Sequence, residues 1–293
     1  MVTRVASLQL EFQYFNTPQE FANHLRAAAE AAAAAGAQWI LAPHSVSFGL
    51  FGIFDFDAAP TDSLDALAQR RNVTTRAWLQ ERAMYVYELY LHVFQSLAAR
   101  VETWLVPGTV LEPDGDGFFV TACVFNPAGE VVGRQRQMHR TAQEIAWGVK
   151  QGDALNVVKT ERGDVGLVLG EDIRYPETAR ALTLLGAEVL LHPAAYTHAN
   201  DEQFLQDLWR EVQANQTFGV QANLVGENLR GHSAIYAPVE LTDDRRGVLA
   251  QAQDTTSEIV FADLDLEKLA AVRRAYPILD LLNSALNEQL SKK

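Results

Sequence analysis

Predicted helices alternate with predicted strands in the first part of this sequence, and this alternation constrains the fold more than any other feature. An apolar strand covers residues 5–10, and Thr17-Pro-Gln-Glu20 then starts an alanine-rich helix with proline in its first position. Gly36 ends the helix, and a second buried strand follows at residues 39–42. Strands joined through helices form layered α/β folds, so we expect a sheet covered by helices.

Two predicted hairpins interrupt this alternation in the middle of the chain. Residues 118–126 and 130–137 form the first, around an Asn-Pro-Ala-Gly turn, and residues 155–160 and 164–169 form the second. Antiparallel hairpins beside helix-linked strands imply a mixed sheet. Neither a linker nor a repeat divides the sequence, so we expect one domain over residues 1–293.

Four further predicted segments bear on where a ligand could bind and on how the chain ends. Residues 48–76 contain aromatic residues, glycine and Pro60, and we expect them to form a long irregular loop over a strand end. We expect one strand at residues 104–110, one helix at residues 201–218 and a last helix that starts near Asp280. The long loop is expected to cover the end of the sheet where a ligand pocket can form.

Charge and cysteine content exclude several classes of function. The chain carries 37 acidic against 24 basic residues, a net charge of -13, which disfavours nucleic acid and anionic lipid as partners. A basic cluster at Arg134, Arg136 and Arg140 is too short to change this. One cysteine, Cys123, allows neither an intramolecular disulfide nor a cysteine-based metal cluster. We expect a cytoplasmic protein, because neither a signal peptide nor a membrane-spanning stretch is recognisable.

Residues 164–186 combine a buried strand, a tight turn and a helix. Such a turn often carries a nucleophile, because it projects one side chain beyond the end of the sheet. The residue at this turn is Gly170, which has no side chain. Glycine tolerates the left-handed backbone of a tight turn, so the turn can persist without a nucleophile.

Four stretches of sequence occur in a characteristic order along nearly the whole chain. They are residues 6–9 with 35–43, residues 125–144, residues 165–194, and residues 215–223 with 231–233 and 259–265. The third begins Val-Gly-Leu-Val-Leu-Gly-Glu-Asp-Ile-Arg-Tyr-Pro-Glu. Together they resemble the carbon–nitrogen hydrolase family, also called the nitrilase superfamily. The resemblance implies an α/β fold, a nitrilase-like four-layer α-β-β-α sandwich. It also implies a homodimer or higher homo-oligomer, in which helices at 177–185 and 201–218 pair to give an αββα-αββα stack.

In that family a glutamate, a lysine and a cysteine form the catalytic triad. The cysteine attacks a nitrile or amide carbon, the glutamate takes the thiol proton, and the lysine stabilises the tetrahedral intermediate. The resemblance places His44 at the glutamate position, Gln137 at the lysine position and Gly170 at the cysteine position. Gly170 cannot act as a nucleophile, whereas Gln137 could still donate an N–H to an oxyanion without the charge of lysine.

Residues around these three positions follow the family pattern in part. Glu144 matches a second glutamate that the family often places in the pocket, and His139 is the histidine that follows the lysine position. Glu171 departs from the pattern, while Asp172 and Arg174 match an Asp-x-Arg pair that we expect to be architectural. We expect His139, Glu144 and Glu171 to bind a ligand in the pocket.

The family's supporting residues on a later helix are changed as well. Before Asn215 the family usually has an arginine–alanine pair and a glutamate, and those places hold Glu211, Val212 and Ala214. This helix has therefore diverged together with the triad positions.

Other groups in the chain could supply chemistry of a different kind. Cys123 could be a displaced nucleophile, but its position in the middle of a strand favours a buried core thiol. The histidines and glutamates of the candidate site have the side chains that bind zinc or iron, although no short paired spacing supports a metal site. His192 and His198 are better explained as a strand end and a loop residue than as ligands.

The replaced triad predicts a non-catalytic pseudoenzyme with a binding, regulatory or scaffolding role. We expect no cofactor and no metal in this case, and a small-molecule ligand in a pocket under residues 48–76. The alternative hypothesis is a hydrolase of non-peptide carbon–nitrogen bonds, or of another small molecule. Its altered mechanism would use His44, Glu144 and Glu171, with or without assistance from a metal.

Overall fold

The computed structural model of the protein describes residues 1–197, 201–283 and 285, with residues 201–207 described through their backbone alone. Single helices or groups of helices separate the strands at residues 2–106 and 165–226, whereas strands follow one another without an intervening α-helix at residues 104–136 and 218–265. The strands are β1 Val2–Glu11, β2 Trp39–Leu41, β3 Trp104–Val106, β4 Thr109–Asp114, β5 Gly117–Phe125, β6 Val131–Arg136, β7 Val157–Val158, β8 Val165–Leu167, β9 Val189–Ala194, β10 Phe218–Gly226, β11 Leu229–Arg230, β12 Ala234–Tyr236, β13 Val248–Gln251 and β14 Glu258–Asp265. The α-helices are α1 Pro18–Ala34, α2 Leu64–Arg70, α3 Thr75–Gln80, α4 Ala83–Val101, α5 Ala142–Trp147, α6 Pro176–Leu184, α7 Asp201–Asn215 and α8 Leu266–Ala275.

The strands form one mixed sheet whose two halves face each other. Its main path runs β4-β5-β3-β2-β1-β10-β9-β8-β7, with β6 beside β5 and β14 beside β1. The parallel pairs on this path are β3–β2, β2–β1, β1–β10, β10–β9 and β9–β8. The hairpins β4–β5, β5–β6 and β7–β8 are antiparallel. Leu41 from the first half and Leu191 from the second belong to one core between the halves.

Two further cores lie between the sheet and its helices. One contains Phe21 of α1 and Phe94 of α4 against the first half of the sheet, and the other contains Leu182 of α6 and Val212 of α7 against the second half. The order of the layers is therefore α-β-β-α, as the family resemblance implied, and the α/β fold is confirmed. No helix among the described residues is long and apolar enough to cross a membrane.

The start of α1 follows from its local sequence. The Thr17 side chain accepts a hydrogen bond from the Glu20 N–H, and Pro18 occupies the first turn. The Glu20 carboxylate accepts from Asn16 N–H at 3.0 Å, one residue earlier than in a standard capping box. Two N-terminal donors are satisfied in this way, and Phe21 and Leu25 of the apolar stripe are buried.

The prediction of an irregular loop at residues 48–76 is wrong. A 3-10 helix covers Val46–Phe54, and α2 and α3 follow it. The side chains of Ser63 and Thr74 cap these two helices by accepting hydrogen bonds from Ala66 N–H and Ala77 N–H. The side chains of Phe48, Phe51 and Phe54 pack in the core beneath the short helices, whereas Phe56 is 70% exposed.

Three predicted boundaries also differ from the structure. The strand at residues 104–110 is interrupted at Gly108, whose φ of +71° turns the chain between β3 and β4. The helix at residues 201–218 ends at Asn215, because Phe218 already pairs in β10. Asp280, where a last helix is predicted to start, lies in a turn, and most of the rest of that predicted helix lies outside the described residues.

Candidate functional site

The ends of β2, β6 and β8 bring together His44, Gln137 and Gly170. The Nε2 atom of His44 lies 3.4 Å from Oε1 of Gln137. A Cβ atom added to Gly170 would lie 2.9 Å from His44 Nε2 and 3.2 Å from Gln137 Oε1. Three positions that are far apart in sequence therefore meet at one end of the sheet, as the resemblance implied.

The imidazole of His44 lies in the space that a side chain at residue 170 would need. Gly170 has a φ of +46°, in the left-handed region that favours glycine. A contact of 2.9 Å is closer than real Cβ atoms approach their neighbours, so any larger residue at this position would push the ring away. Residue 170 thus lacks a side chain, and the His44 imidazole occupies the volume that such a side chain would need.

The amide of Gln137 has one orientation that satisfies its hydrogen bonds. Its Nε2 donates to the His139 carbonyl oxygen at 2.6 Å and to the Glu144 carboxylate at 3.1 and 3.0 Å. An amide nitrogen has only two hydrogens, so both are used and the carbonyl oxygen faces His44 and Gly170. The expectation that Gln137 could donate to an oxyanion at residue 170 is therefore wrong.

This orientation also determines which nitrogen of His44 carries hydrogen. Gln137 Oε1 can only accept, so His44 Nε2 donates to it, and Nδ1 is left to accept from the Ser45 hydroxyl. Burial lowers the pKa of His44 below its ordinary 6.5, against opposing effects of the Glu144 carboxylate and of the Gln137 hydrogen bond. The imidazole is neutral at neutral pH.

Glu144 is held in place by the helix on which it lies. It forms a capping box at the start of α5, in which its carboxylate accepts from Thr141 N–H at 2.7 Å and its own N–H donates to Thr141 Oγ1. Trp147 at the end of this helix donates to Asp65 of α2 at 2.8 Å. Glu144 therefore reaches Gln137 from a helix that is anchored at both ends.

Asp172 holds the segment that follows Gln137. Its fully buried carboxylate accepts from Met138 N–H at 3.0 Å, from His139 N–H at 2.7 Å and from His139 Nδ1 at 3.0 Å. The His139 ring also stacks on Tyr175, with centroids 3.6 Å apart. His139 thus contributes its carbonyl oxygen to the site while its ring packs elsewhere.

The expected pair of Asp172 and Arg174 is wrong, because Asp172 is occupied by Met138 and His139. Arg174 instead binds Glu171, with 3.0 Å between Nε and Oε1. Glu171 is one-third exposed and does not join the hydrogen-bonded network of His44, Gln137 and Glu144. A ligand-binding role for Glu171 would require this ion pair to open.

We expect Asp172→Asn to lower the free energy of unfolding by about 2 kcal/mol, because one oxygen acceptor and its charge are lost opposite buried backbone N–H groups. Urea denaturation would measure the change. Asp263→Asn, at an exposed ion pair with Arg4, is the control and should change the value by less than about 0.5 kcal/mol. Equal effects of the two variants would contradict the assigned role of Asp172.

The sequence assigned no role in the site to two polar neighbours of His44. His192 lies in β9, fully buried, where its Nδ1 donates to the Val168 carbonyl oxygen and its Nε2 accepts from the Tyr196 hydroxyl. Burial lowers the pKa of His192 to about 4. Ser45 was missed as well, although a hydroxyl directly after a histidine at a strand end is a visible signal. His198 lies outside the described residues.

The other candidates from the sequence lie away from this site or take other roles. Cys123 on β5 is fully buried in the core that contains α4, and burial raises its pKa to about 12. Glu211 is buried on α7, where it binds Arg210 and Asn215. Among the described side chains, no three of His, Cys, Asp and Glu converge so as to hold a metal ion.

Comparison with known proteins gave one family and several relatives. The model of the family described as carbon-nitrogen hydrolase matches residues 4–274. Omega-amidase NIT2 of Bos taurus is 28% identical over 67% of this chain and 74% of its own length. Omega-amidase NIT3 of Saccharomyces cerevisiae is 25% identical over 62% of this chain and 66% of its own length. The probable hydrolase YhcX of Bacillus subtilis is 24% identical over 92% of this chain and 51% of its own length. The chain thus spans about half to three quarters of the length of these curated relatives.

Solved structures share the fold. A carbon-nitrogen hydrolase from Helicobacter pylori G27 superposes with a TM-score of 0.79 at 21% identity, covering 100% of this chain and 99% of that one. Nit3 from Saccharomyces cerevisiae, a member of the nitrilase superfamily, superposes with a TM-score of 0.71 at 20% identity, covering 94% of each chain. At these identities the likeness concerns the fold alone.

Proposed function

This chain belongs to the carbon–nitrogen hydrolase family, and we propose that it is a member that acts by binding rather than by the family's thiol chemistry. Its role would be regulatory or scaffolding, with a small-molecule ligand at the His44 site. The observation that carries this proposal is the contact between the His44 imidazole and the position where Gly170 lacks a side chain. The thiol of a cysteine at residue 170 would need the space that the His44 imidazole occupies.

We propose that His44, Gln137 and Gly170 replace the glutamate, lysine and cysteine of the family triad. Loss of a nucleophile that works as a unit with its base lowers the rate by about a millionfold. Two of the remaining groups are neutral, because His44 has a lowered pKa and Gln137 is an amide. Neither can supply the positive charge that a lysine would offer to a tetrahedral intermediate.

Cys123 does not compensate for the missing thiol. Its side chain is buried in the core, and with a pKa of about 12 it stays protonated at neutral pH. A protonated thiol without access to substrate is a poor nucleophile. Cys123 therefore supports the proposal that the family reaction has been lost.

The alternative of a hydrolase with an altered mechanism has weaker support. Glu144 does reach His44 through Gln137, but Glu171 is engaged by Arg174. The described residues also lack a cluster of three metal-binding side chains. Relatives are named omega-amidases, so amides are the first substrates with which to test this alternative.

We expect the purified protein to release no ammonia above background from short amides and nitriles. A thiol-dependent omega-amidase, assayed in parallel, should be faster by about a millionfold. Native mass spectrometry of the same sample tests the positive part of the proposal, a small molecule that copurifies with the chain.

Two results would overturn the proposed binding role. One is turnover by the unmodified protein that His44→Ala abolishes. The other is zinc or iron bound stoichiometrically and tightly in the purified protein. Iodoacetamide treatment serves as the control for Cys123, because alkylation of this buried thiol should require unfolding.

We further propose that residues 1–293 form one cytoplasmic domain that pairs through α6 and α7. The exposed side chains of Leu184 and Leu185, 54% and 53% accessible, support a contact at the end of α6. Pairing at this surface would leave the His44 site, at the end of the sheet, in each subunit.

A further inference from the structure

Ser45 lies next to His44 at the turn from β2 into the 3-10 helix Val46–Phe54. Its Oγ is within hydrogen-bond distance of His44 Nδ1, and the residue is partly accessible. We propose that Ser45 is a reactive hydroxyl, activated by His44, that accepts one acyl group from an activated ester or thioester. This reaction goes beyond the proposed binding role, which does not require it.

The direction of the hydrogen bonds supports this assignment. Because Gln137 uses both amide hydrogens on His139 and Glu144, it presents only an acceptor to His44 Nε2. The lone pair of His44 is then on Nδ1, the atom that faces the Ser45 hydroxyl. A neutral imidazole whose lone pair points at a hydroxyl is the arrangement that a general base requires.

Glu144 stabilises this arrangement from the far end. Its carboxylate orients the Gln137 amide, and its negative charge favours a proton on His44. When His44 takes the Ser45 proton, the resulting imidazolium keeps its hydrogen bond to Gln137. Glu144 and Gln137 therefore oppose part of the effect of burial, which disfavours the protonated base that forms during the reaction.

The backbone at Ser45 provides an independent observation. Ser45 has φ 60° and ψ 12°, a left-handed conformation that costs a serine on the order of 1 kcal/mol. The Ser45 N–H donates to Thr109 Oγ1 at 2.9 Å, which holds the strained residue. A strained turn between a strand and a helix exposes the side chain that it carries, as in nucleophile elbows.

The proposed step balances without an oxidant or a reductant. Ser45 Oγ bonds to the acyl carbon, and the bond from that carbon to the leaving oxygen or sulfur breaks. The hydroxyl proton passes to His44 Nδ1 and then to the leaving alkoxide or thiolate. An activated acyl donor suits the site, because a base with a lowered pKa removes the Ser45 proton only weakly, so the acyl carbon must itself be reactive.

Incubation of the full chain with p-nitrophenyl acetate tests this proposal. Intact mass measurement should find one acetyl group per chain, and peptide mapping should place it on Ser45. Ser45→Ala should abolish this label, and His44→Asn should lower its rate of formation about a hundredfold. Ser47→Ala is the matched control, because the Ser47 hydroxyl donates to the Thr109 carbonyl oxygen instead, and it should label at the original rate.

The pH dependence distinguishes a base from a merely structural His44. The labelling rate should be constant around neutral pH and should fall in acid, where His44 gains a proton; Glu144 and His192 are the charged or titratable neighbours that influence this step. Acetylation of another residue in the unmodified protein would overturn the proposal, whether or not the variants fold. Unchanged labelling by a folded His44→Asn variant would overturn it as well.

Discussion

Gly108→Ala is expected to lower the free energy of unfolding by about 4 kcal/mol or more. A Cβ atom at residue 108 would lie 1.8 Å from the Pro43 carbonyl oxygen, and φ is +71°. The left-handed backbone costs alanine about 1–2 kcal/mol, and the overlap requires the backbone to move, at a further cost of about 1–3 kcal/mol or more. Because His44 follows Pro43, this movement should also disturb the candidate site.

Urea denaturation compares this variant with Gly115→Ala. Gly115 also has a positive φ, +56°, but its nearest neighbour would be Lys150 Nζ at 3.8 Å. The control keeps the backbone strain and lacks the overlap, so we expect a loss of about 1 kcal/mol. If the two variants lose similar amounts of unfolding free energy, the close contact between residue 108 and Pro43 is not the reason why residue 108 must be glycine.

Introducing the triad residues of the family at the three positions proposed to have replaced them should destabilise the protein. For the combined change Gly170→Cys, His44→Glu and Gln137→Lys, we expect a loss of about 3 kcal/mol, or roughly 6–10 °C in melting temperature. Cysteine at a φ of +46° is strained. The new glutamate and lysine charges also lose their hydration in a site where His44, Gln137 and Gly170 carry no charge and Glu144, which binds Gln137, does. Functional sites commonly reduce stability in this way.

Differential scanning calorimetry would measure the change. A double variant with His44→Glu and Gln137→Lys, but with Gly170 retained, separates the effect of charge from the effect of the added side chain. We do not expect full activity from the triple variant, because Ala214 and Glu171 would still differ from the family pattern. A melting temperature equal to or above that of the original protein would contradict a site that has relaxed into a structural role.

Local signals in the sequence predicted elements well where neighbouring residues decide the backbone. The start of α1 depends on Thr17 and Glu20, which lie within one helical turn, and the hairpin of β5 and β6 depends on its own turn. The sequence of residues 48–76 predicts a loop instead of the observed helices, because its aromatic residues have no clear period. Ser63 and Thr74 were available as helix caps, but their helices are short and depend on packing.

Positions in the candidate site could be predicted, but their interactions could not. The order of family motifs placed His44, Gln137 and Gly170 together, and the ends of β2, β6 and β8 do bring them together. The pairing of Arg174 with Glu171 instead of Asp172 depends on where Met138 and His139 lie, and these are more than thirty residues away. Spacing along the chain contains no information on such a competition for one carboxylate.

The sequence by itself determined which side chains this protein has at the three positions that the resemblance assigns to the triad, and in particular that residue 170 is a glycine. Only the tertiary structure decided how the remaining groups point. Gln137 turns its oxygen to His44 because Glu144 and the His139 carbonyl take its two hydrogens, and His44 in turn presents its lone pair to Ser45. These orientations follow from hydrogen bonds between residues up to about ninety positions apart, and folding alone brings such residues within reach of each other.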